Sequence, residues 1–294
     1  MKKNLFKGSC TALVTPFNES GNINFFELKR LIEFQIASGT NAIVILGTTG
    51  ESSTISESER ETIIKFCVTE AGGRVPIIVG TGSNSTKKAI SQTKQAEILG
   101  ADGALIVTPY YNKCSQSGLF EHYKLISKST NIPIIIYNVP SRTGVNILPK
   151  TAIKISRLKN IIGIKEASGN MSQICELLST KPKNFHVYSG DDALTFPMLC
   201  LGASGVISVT ANAYPYEVSL LCKYVFEGEI EQAKFIHNYL FKINQTLFLD
   251  INPICIKQYL NILGRNVGGT RPPLTPTSKE IKDILKQTKK HYET

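Results

Sequence analysis

From residue 8 to about 227 the chain alternates short β-branched runs with longer segments whose apolar residues recur at helical spacing. That alternation predicts repeated β/α units and a parallel sheet. Candidate strands lie at 10–14, 42–46, 75–79, 103–107, 134–137, 161–165, 186–189 and 205–209. Eight is the number that closes a barrel. Between them, Ser56 with Glu59 reads as a capping box ahead of Ile63, Ile64, Cys67 and Val68, and Gly72 stops that helix. Asn24 with Glu27 reads as a weaker version leading to Leu28, Leu31 and Ile32 and ending at Gly39. A third helix is expected from Thr86 to Leu99, stopped by Gly100.

After residue 228 the strand signal disappears. Segments 230–248, 253–263 and 278–287 read as helices, separated by 250–252 and by a Gly- and Pro-rich loop at 266–276. The predicted fold class is therefore α/β, a (β/α)₈ barrel over 1–228 with a helical C-terminal region over 229–294.

Composition narrows the class further. Hydrophobic residues at 42% and charged residues at 19% exclude a disordered chain and leave enough apolar surface for a large core. Seven cysteines are scattered singly, with no C-x-x-C pair and no histidines at ligand spacing, so they read as reduced core thiols and no metal site is expected. No apolar run of signal-peptide length precedes Cys10, and none approaches the roughly 18 residues of a membrane span. A cytoplasmic protein is expected. The net charge of +10 is spread over many helix faces, with clusters only at Lys2-Lys3, Lys87-Lys88 and 286–291. Such a distribution forms no footprint for nucleic acid.

In a β/α barrel the chemistry sits at the C-terminal ends of the strands. Here several of those ends are polar: Gly47-Thr48-Thr49-Gly50-Glu51 after the second, Thr108-Pro109-Tyr110-Tyr111-Asn112 after the fourth, Tyr137 to Gly144 after the fifth, Lys165-Glu166 after the sixth and Gly190-Asp191-Asp192 after the seventh. Lys165 closes Ile161-Ile162-Gly163-Ile164. Strand alternation puts Lys165 and Gly163 on one face and Ile162 and Ile164 on the other; if both isoleucines pack outward, Lys165 points into the barrel. Desolvation there favours a free amine able to attack a ketone. The plainer alternative is a lysine paired with Glu166 at a wet strand end. Tyr137, one strand away, is placed to carry a proton to and from a carbinolamine oxygen, with Thr48 as a next link; a buried tyrosine satisfied by a carbonyl is the commoner case. The 47–51 loop offers successive N–H groups and two hydroxyls to one carboxylate, or is simply a tight turn. Arg142 adds a cation suited to a second carboxylate.

Taken together these strings resemble the dihydrodipicolinate synthases, within the pyruvate-dependent class I aldolase family that includes N-acetylneuraminate lyase. The likeness covers nearly the whole chain and extends to Gly8-Ser9, Val14-Thr15-Pro16-Phe17, Gly205 to Asn212, Asn252-Pro253 and Arg271 to Pro276. It implies condensation of pyruvate with L-aspartate 4-semialdehyde in diaminopimelate and lysine synthesis, with no cofactor. Lys165 would form the imine, Tyr137 would exchange protons, and Thr48 and Tyr111 would complete a relay. Thr49, Gly190 and the backbone of Ile207 would meet pyruvate, and Arg142 the semialdehyde carboxylate. Tyr111 would reach into the neighbouring subunit of a homotetramer built as a dimer of dimers. Arg142 also helps separate this reading from the sialic acid lyases, whose corresponding stretch lacks it, while another pyruvate-dependent aldolase, of the N-acetylneuraminate lyase or 2-keto-3-deoxy sugar acid type, is the alternative; intact Lys165, Tyr137, Thr48 and Tyr111 argue against a barrel that only binds. Lysine-inhibited members of the family bind lysine at a subunit interface through positions matching Ser52, Ser53, Glu57, Arg60, Asn84, Lys88 and Tyr110, with a carboxylate where this chain has Lys88 and histidines where it has Glu57 and Arg60. Weak or absent inhibition by lysine is therefore expected.

Overall fold

The computed structural model describes residues 5–293, so Lys2-Lys3 lies outside the described residues. Eight parallel strands close on themselves in sequence order: β1 Gly8–Ala12, β2 Ala42–Ile45, β3 Ile77–Gly80, β4 Gly103–Val107, β5 Ile134–Asn138, β6 Ile161–Glu166, β7 His186–Ser189 and β8 Gly205–Ser208. The barrel seam is β8 on β1, with Cys10 opposite Ile207. Helices α1 Phe25–Ala37, α2 Glu57–Ala71, α3 Thr86–Ile98, α4 Gln116–Ser129, the single turn α5 Pro140–Thr143, α6 Pro149–Ser156, α7 Met171–Thr180, α8 Thr195–Cys200 and α9 Pro215–Glu227 alternate with the strands. Three more, α10 Ile230–Thr246, α11 Ile254–Ile262 and α12 Lys279–Glu293, form the C-terminal extension.

Alternation along the strands divides the core in two. Ile43, Ile45, Ile77, Val79, Ile106, Ile134 and Ile136 face the helices, and Cys10, Ala42, Val44, Ile78, Leu105 and Ile135 fill the barrel. Below them Phe6 stacks on Tyr188 at 4.4 Å, and the Tyr188 hydroxyl donates to the Phe6 carbonyl, closing the floor. The helix signals act as their chemistry requires. Ser56 and Glu59 exchange both bonds of a capping box, and Gly72 ends α2 in the left-handed conformation. Asn24 caps Glu27 N–H, whereas the Glu27 carboxylate turns to Arg30, so only half of that box forms.

Strand six departs from the simple alternation. Ile134 pairs with Ile161, but Ile135 pairs with Gly163, so β6 carries one extra residue at Ile162. Ile162 joins the barrel interior, contrary to the expectation that it packs outward with Ile164. The bulge resets the period, after which Ile164 faces the helices and Lys165 the interior. Gly163 makes this possible, because a Cβ there would stand 2.6 Å from the His186 carbonyl oxygen and 3.2 Å from the Tyr188 ring. The cysteines also divide: Cys10, Cys67, Cys222 and Cys255 are buried thiols, Cys114 is half-buried, and Cys175 and Cys200 are exposed rather than in the core.

Candidate active site

Lys165 and Tyr137 are register partners on β6 and β5, both buried, with Lys165 Nζ 4.4 Å from the centre of the phenol ring. The Glu166 alternative fails on direction. Its carboxylate faces away from the barrel, accepts from Asn138 Nδ2 at 3.0 Å and from Ser168 N–H at 2.7 Å, and is pushed up in pKa by burial. Lys165 opens on a cavity of about 420 Å³ lined also by Thr49, Tyr137, Arg142, Gly190, Asp191 and Asn252. Gly190 bounds it because the stem of Lys165 runs past. Burial, and then the neighbouring Asp192, raise the pKa of Asp191. Asp192 itself accepts from the N–H groups of Val209 and Thr210 and so ties β7 to the end of β8.

Five of the expected residues therefore converge: Lys165, Tyr137, Thr49, Arg142 and Gly190. Thr48 lines an adjoining cavity of about 360 Å³, which shares Val139 and Arg142 with the first. Ile207 is buried in the barrel interior on β8. Tyr111 is 88% exposed and held at φ 73°, outside both cavities of its own chain. Arg142 is exposed, and its Nη2 donates to the Asn252 carbonyl at 3.2 Å.

The C-terminal extension supplies groups that the strand-end argument does not reach. Asn252 donates from Nδ2 to Thr49 Oγ1 at 2.9 Å, so one residue touches both Thr49 and Arg142. Two residues further along the 47–51 loop, Glu51 forms a buried ion pair with Lys257 of α11 at 2.8 Å. Burial brings the Lys257 ammonium down to about 8, and Glu51 partly offsets that. A lone lysine in the apolar stretch Ile254-Cys255-Ile256-Lys257 is the one sequence signal that could have found it.

The family model described as the dihydrodipicolinate synthetase family matches residues 5–292. The chain belongs to that family. Its members are lyases of the class I aldolase type. A 4-hydroxy-tetrahydrodipicolinate synthase of Clostridium novyi (strain NT) is 46% identical over 98% of this chain and 97% of its own. The crystal structure of dihydrodipicolinate synthase from Aquifex aeolicus superposes with a TM-score of 0.95, at 46% identity and 98% coverage of each chain. A solved relative described as the first monomeric dihydrodipicolinate synthase variant gives 0.96 at 44% identity, covering 98% of this chain and 97% of that one. The family's barrel with its helical extension is the fold found here. Among the described residues no helix is long and apolar enough to cross a membrane.

Proposed function

We propose that this protein condenses pyruvate with L-aspartate 4-semialdehyde, as a 4-hydroxy-tetrahydrodipicolinate synthase does, on the route to diaminopimelate and lysine. The observation that carries the reading is a buried lysine amine set against a tyrosine ring on the adjacent strand, at the mouth of a barrel, with an arginine on the same cavity. Lys165 Nζ attacks the keto carbon of pyruvate, and the carbinolamine loses water to give an imine. The protonated imine withdraws electrons, so a methyl proton leaves and the resulting enamine attacks the aldehyde carbon. Tyr137 supplies and recovers the proton of the carbinolamine oxygen, with Thr48 and Tyr111 as further links. Thr49, Gly190 and the Ile207 backbone hold pyruvate, and Arg142 holds the second substrate's carboxylate. None of these steps draws on a metal or an organic cofactor.

Two copies complete each other's sites if Tyr111 acts across a dimer interface, which its exposure supports. A tetramer made of two such dimers, working in the cytoplasm, is the assembly proposed. The test is intact mass after sodium borohydride treatment with pyruvate. One pyruvate-derived adduct on wild type and none on Lys165→Ala supports the imine. A folded wild type that takes no adduct refutes it. Product formation that requires aspartate semialdehyde, and no cleavage of N-acetylneuraminate, then separates this activity from that of the related lyases.

A further inference from the structure

The hydrogen bonds that the 47–51 loop makes with its own neighbourhood are all local turns: Glu51 N–H to the Thr48 carbonyl, Ser52 N–H to the Gly47 carbonyl, and Thr54 N–H and Oγ1 to the Glu51 carbonyl. None of them fixes it relative to the barrel. Its position is set from outside. Thr15, just beyond β1, donates from Oγ1 to the Gly50 carbonyl at 2.7 Å. The Glu51 carboxylate is gripped on both oxygens, Oε1 by Lys257 Nζ at 2.8 Å and Oε2 by the Arg271 N–H at 2.9 Å. Lys257 Nζ also donates to the Thr15 carbonyl at 2.9 Å and lies 4.1 Å from the centre of the Phe17 ring. A single ammonium thus joins the segment after β1, the loop after β2 and helix α11.

A buried pair of this kind is a poor source of stability, because desolvating two charges offsets most of their attraction. Both partners are nevertheless withdrawn from solvent, at 1% and 2% side-chain exposure. Glu51 is moreover held at φ 55°, a left-handed conformation that is unfavourable for a residue with a Cβ. The arrangement secures geometry at some expense of stability. That geometry belongs to Thr48 and Thr49, three and two residues before Glu51.

We propose that Lys257 is a positioning residue, which through Glu51 fixes the Thr48-Thr49 loop and so sets the affinity for the carboxylate of pyruvate without touching the substrate. This rests on the imine-aldolase reading above. The measurement is the pyruvate concentration that half-saturates borohydride trapping, together with kcat and the KM of each substrate. Lys257→Met is expected to raise the half-saturating pyruvate concentration about 10-fold or more, the size of a lost charge-assisted hydrogen bond. Trapping still reaches completion at saturating pyruvate and the KM for the aldehyde is unmoved; kcat falls through the Thr48 relay link, by less than the half-saturating pyruvate concentration rises. Glu51→Gln gives a smaller rise, and the double variant is no worse than Lys257→Met alone, because the pair acts as one unit.

An unchanged pyruvate dependence in a folded Lys257→Met protein overturns the proposal, as does a fall in kcat with KM intact. Loss of fold in both single variants also overturns it, since the pair would then be a stability element only. Failure of the wild type to form an adduct would instead remove the aldolase reading itself.

Discussion

Gly190 makes room for the stem of Lys165: a Cβ at position 190 would stand 3.0 Å from both Cγ and Cε of the lysine and 2.7 Å from the Cβ of Ala167. Gly190 has no positive φ to explain it, so the glycine is there for space. Gly190→Ala is expected to push the amine off its line beside Tyr137 and slow borohydride trapping with pyruvate by about 10-fold or more. The overpacking costs about 1–3 kcal/mol, within reach of a calorimetric comparison. Wild-type trapping kinetics in the variant would show that the lysine has another path.

Tyr137 presents its ring to Lys165, so its removal tests packing and proton transfer separately. Tyr137→Phe keeps the ring face and deletes the hydroxyl. Loss of general acid–base assistance lowers kcat by about 10²-fold or more, while the pyruvate KM changes little. A KM effect without a kcat effect would make the tyrosine a wall of the cavity rather than a proton carrier.

Much of this site was legible because strand alternation and strand-end polarity are short-range signals. They bring Lys165 and Tyr137 to neighbouring strand ends, and Lys165 faces the barrel interior although Ile162 does not pack outward. Ile162 enters the barrel, and the bulge at Ile162-Gly163 restores the phase that makes Lys165 face inward. A bulge leaves little trace in sequence beyond one glycine. What Asn252, Lys257 and Arg271 contact is not legible, for a different reason. They reach the 47–51 loop across more than 200 residues, and no local period encodes such contacts.

The exposure of Tyr111 makes a prediction about subunits. Lys165→Ala lacks the amine and Tyr111→Phe lacks the hydroxyl proposed as a relay link, so each is expected to be weakly active alone. If the tyrosine serves a neighbour, a mixed dimer holds one intact site. Random mixing of dissociated subunits then restores about a quarter of wild-type activity, from half the dimers with one of two sites complete. No gain on mixing would return Tyr111 to its own chain.

Glu59 couples the capping box of α2 to the C-terminal loop. Its carboxylate accepts from Arg271 Nη1 at 2.9 Å, and that bond, against the opposing effect of burial, holds it down at about 2 from an ordinary 4.5. A carboxyl depressed in the folded state stabilises fully above its unfolded value and loses that contribution as pH falls through the folded one. Stability should therefore decline with one extra proton taken up on unfolding between about 4.5 and 2. Arg271→Met is less stable at neutral pH, and the gap to wild type narrows as pH falls through that window. A gap that stays constant in acid denaturation monitored by circular dichroism would exclude the linkage.

Six of the seven positions matching the family's lysine site line the second cavity: Ser52, Ser53, Glu57, Arg60, Lys88 and Tyr110. This chain's own part of the site is thus in place, and its charge decides the outcome. Lys88 Nζ sits 3.4 Å from Glu57 Oε1, an exposed pair that holds the one carboxylate already engaged. Arg60 is buried against the Gly80 carbonyl; burial lowers it only to about 10, so it remains a cation at neutral pH. An incoming ammonium group meets three cations, Arg60, Lys88 and Arg142, and a carboxylate that is taken. Initial rates are therefore expected to be unchanged by sub-millimolar lysine, and Lys88→Glu to shift the inhibition curve to lower lysine by removing one cation and adding a partner. Strong inhibition of the wild type at those concentrations would mean that hydroxyls and Tyr110 bind the ligand well enough to outweigh like-charge repulsion.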